Sequence, residues 1–156
     1  MIRDHLHQDV LSIKREVLRL TPPEYFSSKD LARSFFGALF LASTFIFSGG
    51  LVQQAKLMST VHIIVLVLVT LAVLTVEIYF IGYHRVKNKK TRPFYEFWGK
   101  RIVTFWSVAL VVSFGLSLLY AFDQYFPTTL ELVKFSMVVS FPASVGAALA
   151  DLLRSY

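Results

Sequence analysis

The 156-residue sequence contains no cysteine, which excludes disulfide bonds, thiolate metal sites and cysteine nucleophiles. It also lacks a phosphate-binding loop, a dinucleotide-binding glycine motif, an HExxH zinc motif and a nucleophile elbow. We therefore expect no enzymatic activity, no metal and no cofactor. A lipid-handling enzyme would need a nucleophile or a metal site, and the sequence contains no group of residues that supports either. The first 30 residues contain no apolar segment typical of a cleavable signal peptide, so we expect the first spanning helix to be the targeting signal.

Apolar residues, by contrast, make up 55% of the chain, and the mean hydropathy is +0.58. Four long apolar runs cover residues 31–54, 61–83, 101–122 and 130–152. Each is long enough to cross about 30 Å of hydrocarbon as a helix. A lipid-embedded chain forms either helices or a closed barrel, and no run alternates like a strand. The predicted fold class is therefore all-α: a polytopic membrane domain over residues 31–156, with four transmembrane helices in two antiparallel hairpins.

Basic residues concentrate before the first run and between the second and third runs, and the net charge is +6. By the positive-inside rule, both termini and the loop between the second and third helices are predicted to be cytoplasmic, in the cell (inner) membrane. The expected partners are anionic lipid headgroups on that side, and no nucleic acid. The basic residues of the loop are Arg85, Lys87, Lys89, Lys90 and Arg92.

Residues 1–30 are predicted to form a cytoplasmic amphipathic helix followed by a linker. The apolar positions of this helix follow the alternating spacing of four and three residues that is typical of a coiled coil. Two readings stay open: a seam that joins copies into a homo-oligomer, or a helix that lies on the inner leaflet. The seam residues are Leu6, Val10, Ile13, Val17 and Leu20.

The fourth run carries a polar stripe on one helical face, within an arc of about 80°. Pro142 lies in the middle of this helix, where it is expected to cause a kink and to leave the carbonyl of Val138 without its usual partner. We expect the other three helices to pack around this one. The stripe either lines a path or serves helix packing, since small residues allow close approach. The stripe contains Ser136, Ser140, Ser144 and Asp151, and the small packing residues are Ala143, Gly146 and Ala147, with Gly37 on the first helix.

Two carboxylates lie within the spanning runs, where a charge costs roughly 2.5 to 3.5 kcal/mol at the helix centre and less towards the ends. Glu77, which shares one side of helix two with Thr70, and Asp151 both lie near the predicted cytoplasmic ends. They either form a cation or proton site together or pair with basic residues at the headgroups. The candidate basic partners are Arg33, Lys100, Arg101 and Arg154.

The segment FPASVGAALAD, from Phe141 to Asp151, together with Lys100 and Arg101 at the start of helix three, resembles an uncharacterised family of small prokaryotic multi-pass membrane proteins, a domain of unknown function. The resemblance covers mainly the last two helices. It implies an inner-membrane location and supplies neither an activity nor a functional residue.

The leading functional hypothesis is a small oligomeric ion channel or carrier that prefers cations, because both intramembrane charges are acidic. Copies of helix four would line its path. The alternative is a non-transporting scaffold or accessory subunit that binds a partner through the basic loop and the N-terminal helix. The candidate pathway residues are Ser136, Ser140, Ser144, Asp151, Glu77 and Thr70.

Overall fold

The computed structural model describes residues 28–83 and 94–152, and these residues are almost entirely helical, with no strand. The all-α prediction is therefore confirmed for this part of the chain. The predicted N-terminal seam, the basic residues from Arg85 to Arg92, and Arg154 lie outside the described residues. The helices are α1 (Ser28–Ile46), α2 (Gly49–Leu57), α3 (Thr60–Glu77), α4 (Phe94–Leu119) and α5 (Thr129–Leu152).

Three described segments are long and apolar enough to cross a membrane, namely residues 60–82, 97–119 and 129–152. The first of them is α3 continued by a π-helical turn over Ile78–Gly82. A fourth span is counted only if α1 and α2 are taken together, and these two helices are bent by 86°. The described part of the chain thus has three or four candidate spans.

The first apolar run forms two helices rather than one continuous helix. The helix ends at Ile46 rather than continuing to residue 54, and Ser48 takes an extended conformation with ψ 105°. Gly49 and Gly50 follow, and a glycine inside a helix destabilises it by roughly 0.5 to 1 kcal/mol relative to alanine. The chain therefore resumes as α2 in a new direction.

Helix α5 is the centre of the bundle, as its sequence predicts. It contacts each of the other four helices. Of its most apolar stretch, 67% is buried inside the bundle, compared with 17% for the span that α3 forms with the π-helical turn. Its small side chains explain this position: Ala143, Ala147 and Ala148 are fully buried, and small residues let neighbouring backbones come close.

The helix directions follow from contacts at the two ends of the bundle. Ser136 contacts Ser117, and Asp151 contacts Arg101, so α4 and α5 are antiparallel. Gly82 lies beside Leu152, which places the end of α3 at the end of α5. The start of α4 lies there too. We call this end the basic end, because the residues on either side of the basic segment 84–93, Tyr83 and Phe94, both lie there. The opposite end, with α2 and the turn before α5, is the far end.

Helix α1 packs mainly against α5 and α4, and makes few contacts with α3. The predicted antiparallel hairpin of the first two spanning helices is not confirmed, and α5 is in contact with both α1 and α3. The physical reason is the close fit of α1 on α5: Gly37 lies against Gly146 and Ala150, while Gly146 lies against Leu41. Helix α2 makes the connection from α1 to α3 and contacts α5 on the way.

Candidate functional site: the polar seam and the basic end

Buried hydroxyl groups lie on α4 and α5, which pack against each other. All five serines of this row are at most 4% exposed. The row is joined across the two helices where the Ser136 Oγ lies 3.2 Å from the Ser117 Oγ. We call this row the polar seam, and it consists of Ser113, Ser117, Ser136, Ser140 and Ser144.

Four of the five seam hydroxyls are satisfied by backbone carbonyls of their own helix. Ser136 donates to Leu132 O at 2.9 Å, and Ser117 donates to Ser113 O at 2.7 Å. Such bonds to the preceding turn remove the cost of placing a hydroxyl in an apolar interior. The two remaining bonds run from Ser140 to Met137 O at 2.7 Å and from Ser144 to Phe141 O at 2.8 Å.

These contacts show what surrounds the serine stripe of α5, which is the fourth predicted spanning helix. Its serines are covered by other helices of the same chain, because α5 is packed against α1, α3 and α4. A central path between copies of α5, lined by Ser136, Ser140 and Ser144, is therefore not the arrangement that this structure presents. The serines of the stripe are buried between helices of one chain here, and α5 remains helical through Pro142.

Ser113 is the exception in the seam. Its side chain is fully buried, and its Oγ has no hydrogen-bond partner among the described residues. Ser113 and Ser117 belong to the α4 side of the seam, which the sequence-based set of candidate residues omits. Their spacing of four residues on one helical face is the signal that identifies them.

At the basic end, Asp151 forms an ion pair with a residue of α4. The Nε of Arg101 lies 3.4 Å from the Asp151 Oδ2, and the side chain of Asp151 is 3% exposed. The guanidinium also lies 3.8 Å from the centre of the Phe97 ring, a cation–π arrangement. Among the candidate partners within residues 28–83 and 94–152, Arg101 pairs with Asp151, whereas Arg33 pairs with Asp30 on its own helix at 3.2 Å.

Glu77 ends α3 at the point where the π-helical turn begins. Its Oε2 is buried and has no hydrogen-bond partner among the described residues. The predicted neighbour Thr70 is also buried, and its hydroxyl donates to Leu66 O at 2.7 Å. The two carboxylates therefore differ in their surroundings: Asp151 is paired with Arg101, while Glu77 has a carboxylate oxygen without a hydrogen-bond partner in the described part of the chain. π-Helical turns occur frequently at functional sites.

A cluster of aromatic rings joins the ends of α3 and α4 at the basic end. The ring of Tyr83 lies 5.1 Å from Phe94 and 5.8 Å from Phe97, and Tyr79 lies 5.6 Å from Phe94. We call Tyr79, Tyr83, Phe94 and Phe97 the aromatic base. Because Tyr83 and Phe94 bound the basic segment 84–93, their contact holds the two ends of that segment together.

A side-chain hydrogen bond reinforces the aromatic base. Trp98 Nε1 donates to the Thr75 Oγ1 at 2.9 Å, and thus links α4 to α3. The sequence does not indicate this partner for Trp98, because Thr75 is 23 residues away. In residues 28–83 and 94–152, no group of three or more histidine or acidic side chains could hold a metal ion.

These features define an integral membrane protein: long apolar helices, with small and locally hydrogen-bonded residues at their contacts. The chain belongs to the family described as "Putative integral membrane protein (DUF2391)", a domain of unknown function, whose model matches residues 14–153. The resemblance noted in the last two helices is thus confirmed and extends over most of the chain. No curated protein and no solved structure matches it.

Proposed function

We propose that this protein is a non-transporting membrane scaffold or accessory subunit that binds a partner through its basic loop. The observation that supports this most directly is the aromatic base, in which Tyr83 and Phe94 are 5.1 Å apart. A loop whose two ends are fixed by a rigid framework is the usual location of a binding surface. This loop carries Arg85, Lys87, Lys89, Lys90 and Arg92 and no acidic residue.

The charge of the loop indicates the chemistry of what it binds. Five positive charges within residues 84–93 attract acidic protein segments as well as anionic lipid headgroups. In this proposal both termini and the loop are cytoplasmic, in the cell (inner) membrane. The N-terminal helix, with Leu6, Val10, Ile13, Val17 and Leu20, adds either a homo-oligomer seam or a second contact with the partner.

The packed interior supports this proposal over an oligomeric channel. The seam serines are at most 4% exposed, and Asp151 is held by Arg101. A conducting path must bind an ion favourably enough to admit it and weakly enough to release it. Hydroxyls already bonded to their own helix and a carboxylate already paired with arginine are poor candidates for that task.

Photocrosslinking in cells tests the scaffold proposal. A photoreactive amino acid replaces Asn88, in the middle of the basic loop, and the control replaces Leu68, which is 61% exposed on α3. We expect a protein adduct from position 88, with an acidic segment at the site of attachment, that disappears when the five basic residues are replaced by glutamine. An adduct that persists after this neutralisation, or attaches outside an acidic segment, contradicts the proposal.

A second candidate function is a cation or proton carrier that works within one subunit. Two buried groups support it, because the Glu77 Oε2 and the Ser113 Oγ have no hydrogen-bond partner in the described part of the chain. Acidic groups within a spanning segment are costly and commonly mark ion pathways. Here Glu77, rather than Asp151, would bind the transported species.

Flux into liposomes that contain the purified protein separates the two functions. The wild type is compared with Glu77→Gln, Ser113→Ala and Asp151→Asn across several cations and a pH gradient. The scaffold proposal expects no flux above that of empty liposomes. Flux that Glu77→Gln abolishes would overturn it in favour of a carrier, and Asp151→Asn then reports whether disruption of the ion pair with Arg101 alters the same flux.

A further inference from the structure

Helix α2 turns sharply away from the helix before it. It is bent by 86° from α1. Helix α1 has 19 residues, which at a rise of 1.5 Å per residue gives a length of about 28 Å. That length is close to the hydrocarbon core of about 30 Å. By length and composition α1 is counted as a candidate span only together with α2, because Lys29, Asp30 and Arg33 lie in its first turns. Because α2 is bent by 86° from α1, α2 runs along the membrane surface if α1 crosses the bilayer.

The side of α2 that faces the bundle is held by contacts with it. Ala55 is 3% exposed, and the Lys56 Nζ lies 5.5 Å from the centre of the Phe126 ring. Phe126 is itself buried and lies just before α5 begins, against the ring of Phe135 at 5.2 Å. The position of α2 is thus the far end of the bundle, across the start of α5, and not between helices at mid-depth.

The free side of α2 combines polar and apolar groups. Gln53 and Gln54 are exposed, whereas Leu57 at the end of the helix is 85% exposed. A helix with a polar side and an exposed apolar residue is suited to the boundary between headgroups and acyl chains. Neither deep hydrocarbon nor bulk water would accommodate both kinds of side chain.

Aromatic side chains at the same end indicate the same depth. Phe47, two residues before α2, packs on Tyr120 with 4.7 Å between ring centres, and the two residues are 61% and 43% exposed. Tyr125 is 62% exposed in the turn before α5. Tyrosine is enriched where membrane meets water, because its ring is apolar and its hydroxyl is polar.

We infer that α2 is an interfacial helix that binds the lipid surface at the far end of the bundle, and that it is not the second half of a transmembrane span. Its ligand is the boundary layer of the bilayer, reached by insertion of Leu57, Phe47 and the neighbouring tyrosines. Lys56 is its only charged residue, so apolar insertion rather than attraction to anionic headgroups holds it. This inference does not depend on the proposed function.

The absence of cysteine from the chain makes a depth measurement direct. Single-cysteine variants Leu57→Cys and Gln53→Cys are spin-labelled in liposomes, and collisions with oxygen and with a water-soluble nickel complex are compared. Leu68→Cys, on the exposed side of α3, is the deep control, and Asp123→Cys, in the far-end turn, is the aqueous control. Gln53→Cys provides an independent position if Leu57→Cys does not fold.

We expect the label at position 57 to lie at headgroup depth, between the two controls, in zwitterionic vesicles and in vesicles with anionic lipid alike. A label as deep as that at position 68 overturns the inference, because α2 would then continue the span. A label as accessible to nickel as that at position 123 overturns it too. A depth that appears only with anionic lipid contradicts the apolar mode of binding.

Discussion

Gly37 of α1 and Gly146 of α5 lie against each other, and neither position has room for a side chain. A Cβ atom on Gly37 would lie 2.5 Å from the Cβ of Ala150, and a Cβ atom on Gly146 would lie 2.9 Å from the carbonyl carbon of Gly37. The two backbones are therefore in direct contact where α1 meets α5. This contact fixes the position of α1 on α5.

Gly146→Ala tests this contact. We expect the free energy of unfolding in detergent micelles to fall by about 1 to 3 kcal/mol, the usual cost of overpacking, because the obstacle is backbone and cannot rotate away. Gly115→Ala is the matched control, since nothing lies within 4 Å of the Cβ position of Gly115 on α4. It should be neutral or slightly stabilising, and equal effects of the two substitutions would contradict the close approach.

The sequence predicts the helical class, the apolar segments and the central position of α5, because each depends on composition and on local spacing. It predicts that the other helices pack around α5, but it does not predict which residues of α1 make the close contact with α5. In a membrane, side chains that face lipid and side chains that face protein are both apolar, so periodicity does not reveal partners. Only glycines such as Gly37 and Gly146 carry such information, and their spacing does not say which helix they meet.

The candidate site was predictable to a similar extent. The alternatives for Asp151 include the pairing that is observed, because a carboxylate near a helix end needs a nearby cation. The choice of Arg101 over Arg33 depends on the register between α4 and α5, which no local pattern contains. The same holds for the seam, where the contact of Ser117 with Ser136 is a tertiary relationship.

The ion pair at the basic end gives a second prediction. Arg101→Gln should lower the free energy of unfolding by roughly 3 kcal/mol, since loss of one member of a buried pair costs about 3 to 5 kcal/mol and the Arg101 side chain is 18% exposed. The double variant Arg101→Gln with Asp151→Asn should recover part of this loss, because it removes the buried charge as well. Denaturant titration of the purified variants measures both values.

Arg33→Gln is the control for the ion pair. Its partner Asp30 is on the same helix, and the Arg33 side chain is 40% exposed, so we expect a loss below about 1 kcal/mol. A double variant at Arg101 and Asp151 no more stable than Arg101→Gln alone would show that the buried carboxylate is not the source of the loss.

Ala121 gives a third prediction, because it has a φ of 54° in the turn after α4. This left-handed conformation costs a residue with a Cβ roughly 1 to 2 kcal/mol, whereas glycine adopts it freely. Ala121→Gly should raise the free energy of unfolding by up to about 1 kcal/mol after the greater freedom of glycine in the unfolded chain is subtracted. Ala121→Val should lower it, and a stabilising valine would contradict the assigned strain.

The two tryptophans of α4 provide the fourth prediction. Trp98 Nε1 donates to Thr75, whereas Trp106 Nε1 is buried without a partner among the described residues. Replacement by phenylalanine removes an indole N–H and some ring volume at both positions, so the difference between the variants isolates the hydrogen bond. We expect Trp98→Phe to be more destabilising by about 0.5 to 1.5 kcal/mol, the net value of such a bond.

Thermal unfolding of the two variants side by side measures this difference, and Thr75→Val provides the second half of the test. In the Thr75→Val background, the further substitution Trp98→Phe should cost no more than Trp106→Phe, because the acceptor is already absent. If Trp98→Phe keeps its larger effect there, ring packing rather than the hydrogen bond connects α4 to α3. The aromatic base would then hold the ends of the basic segment by ring contacts alone, and the effect of Trp98 would follow its buried area.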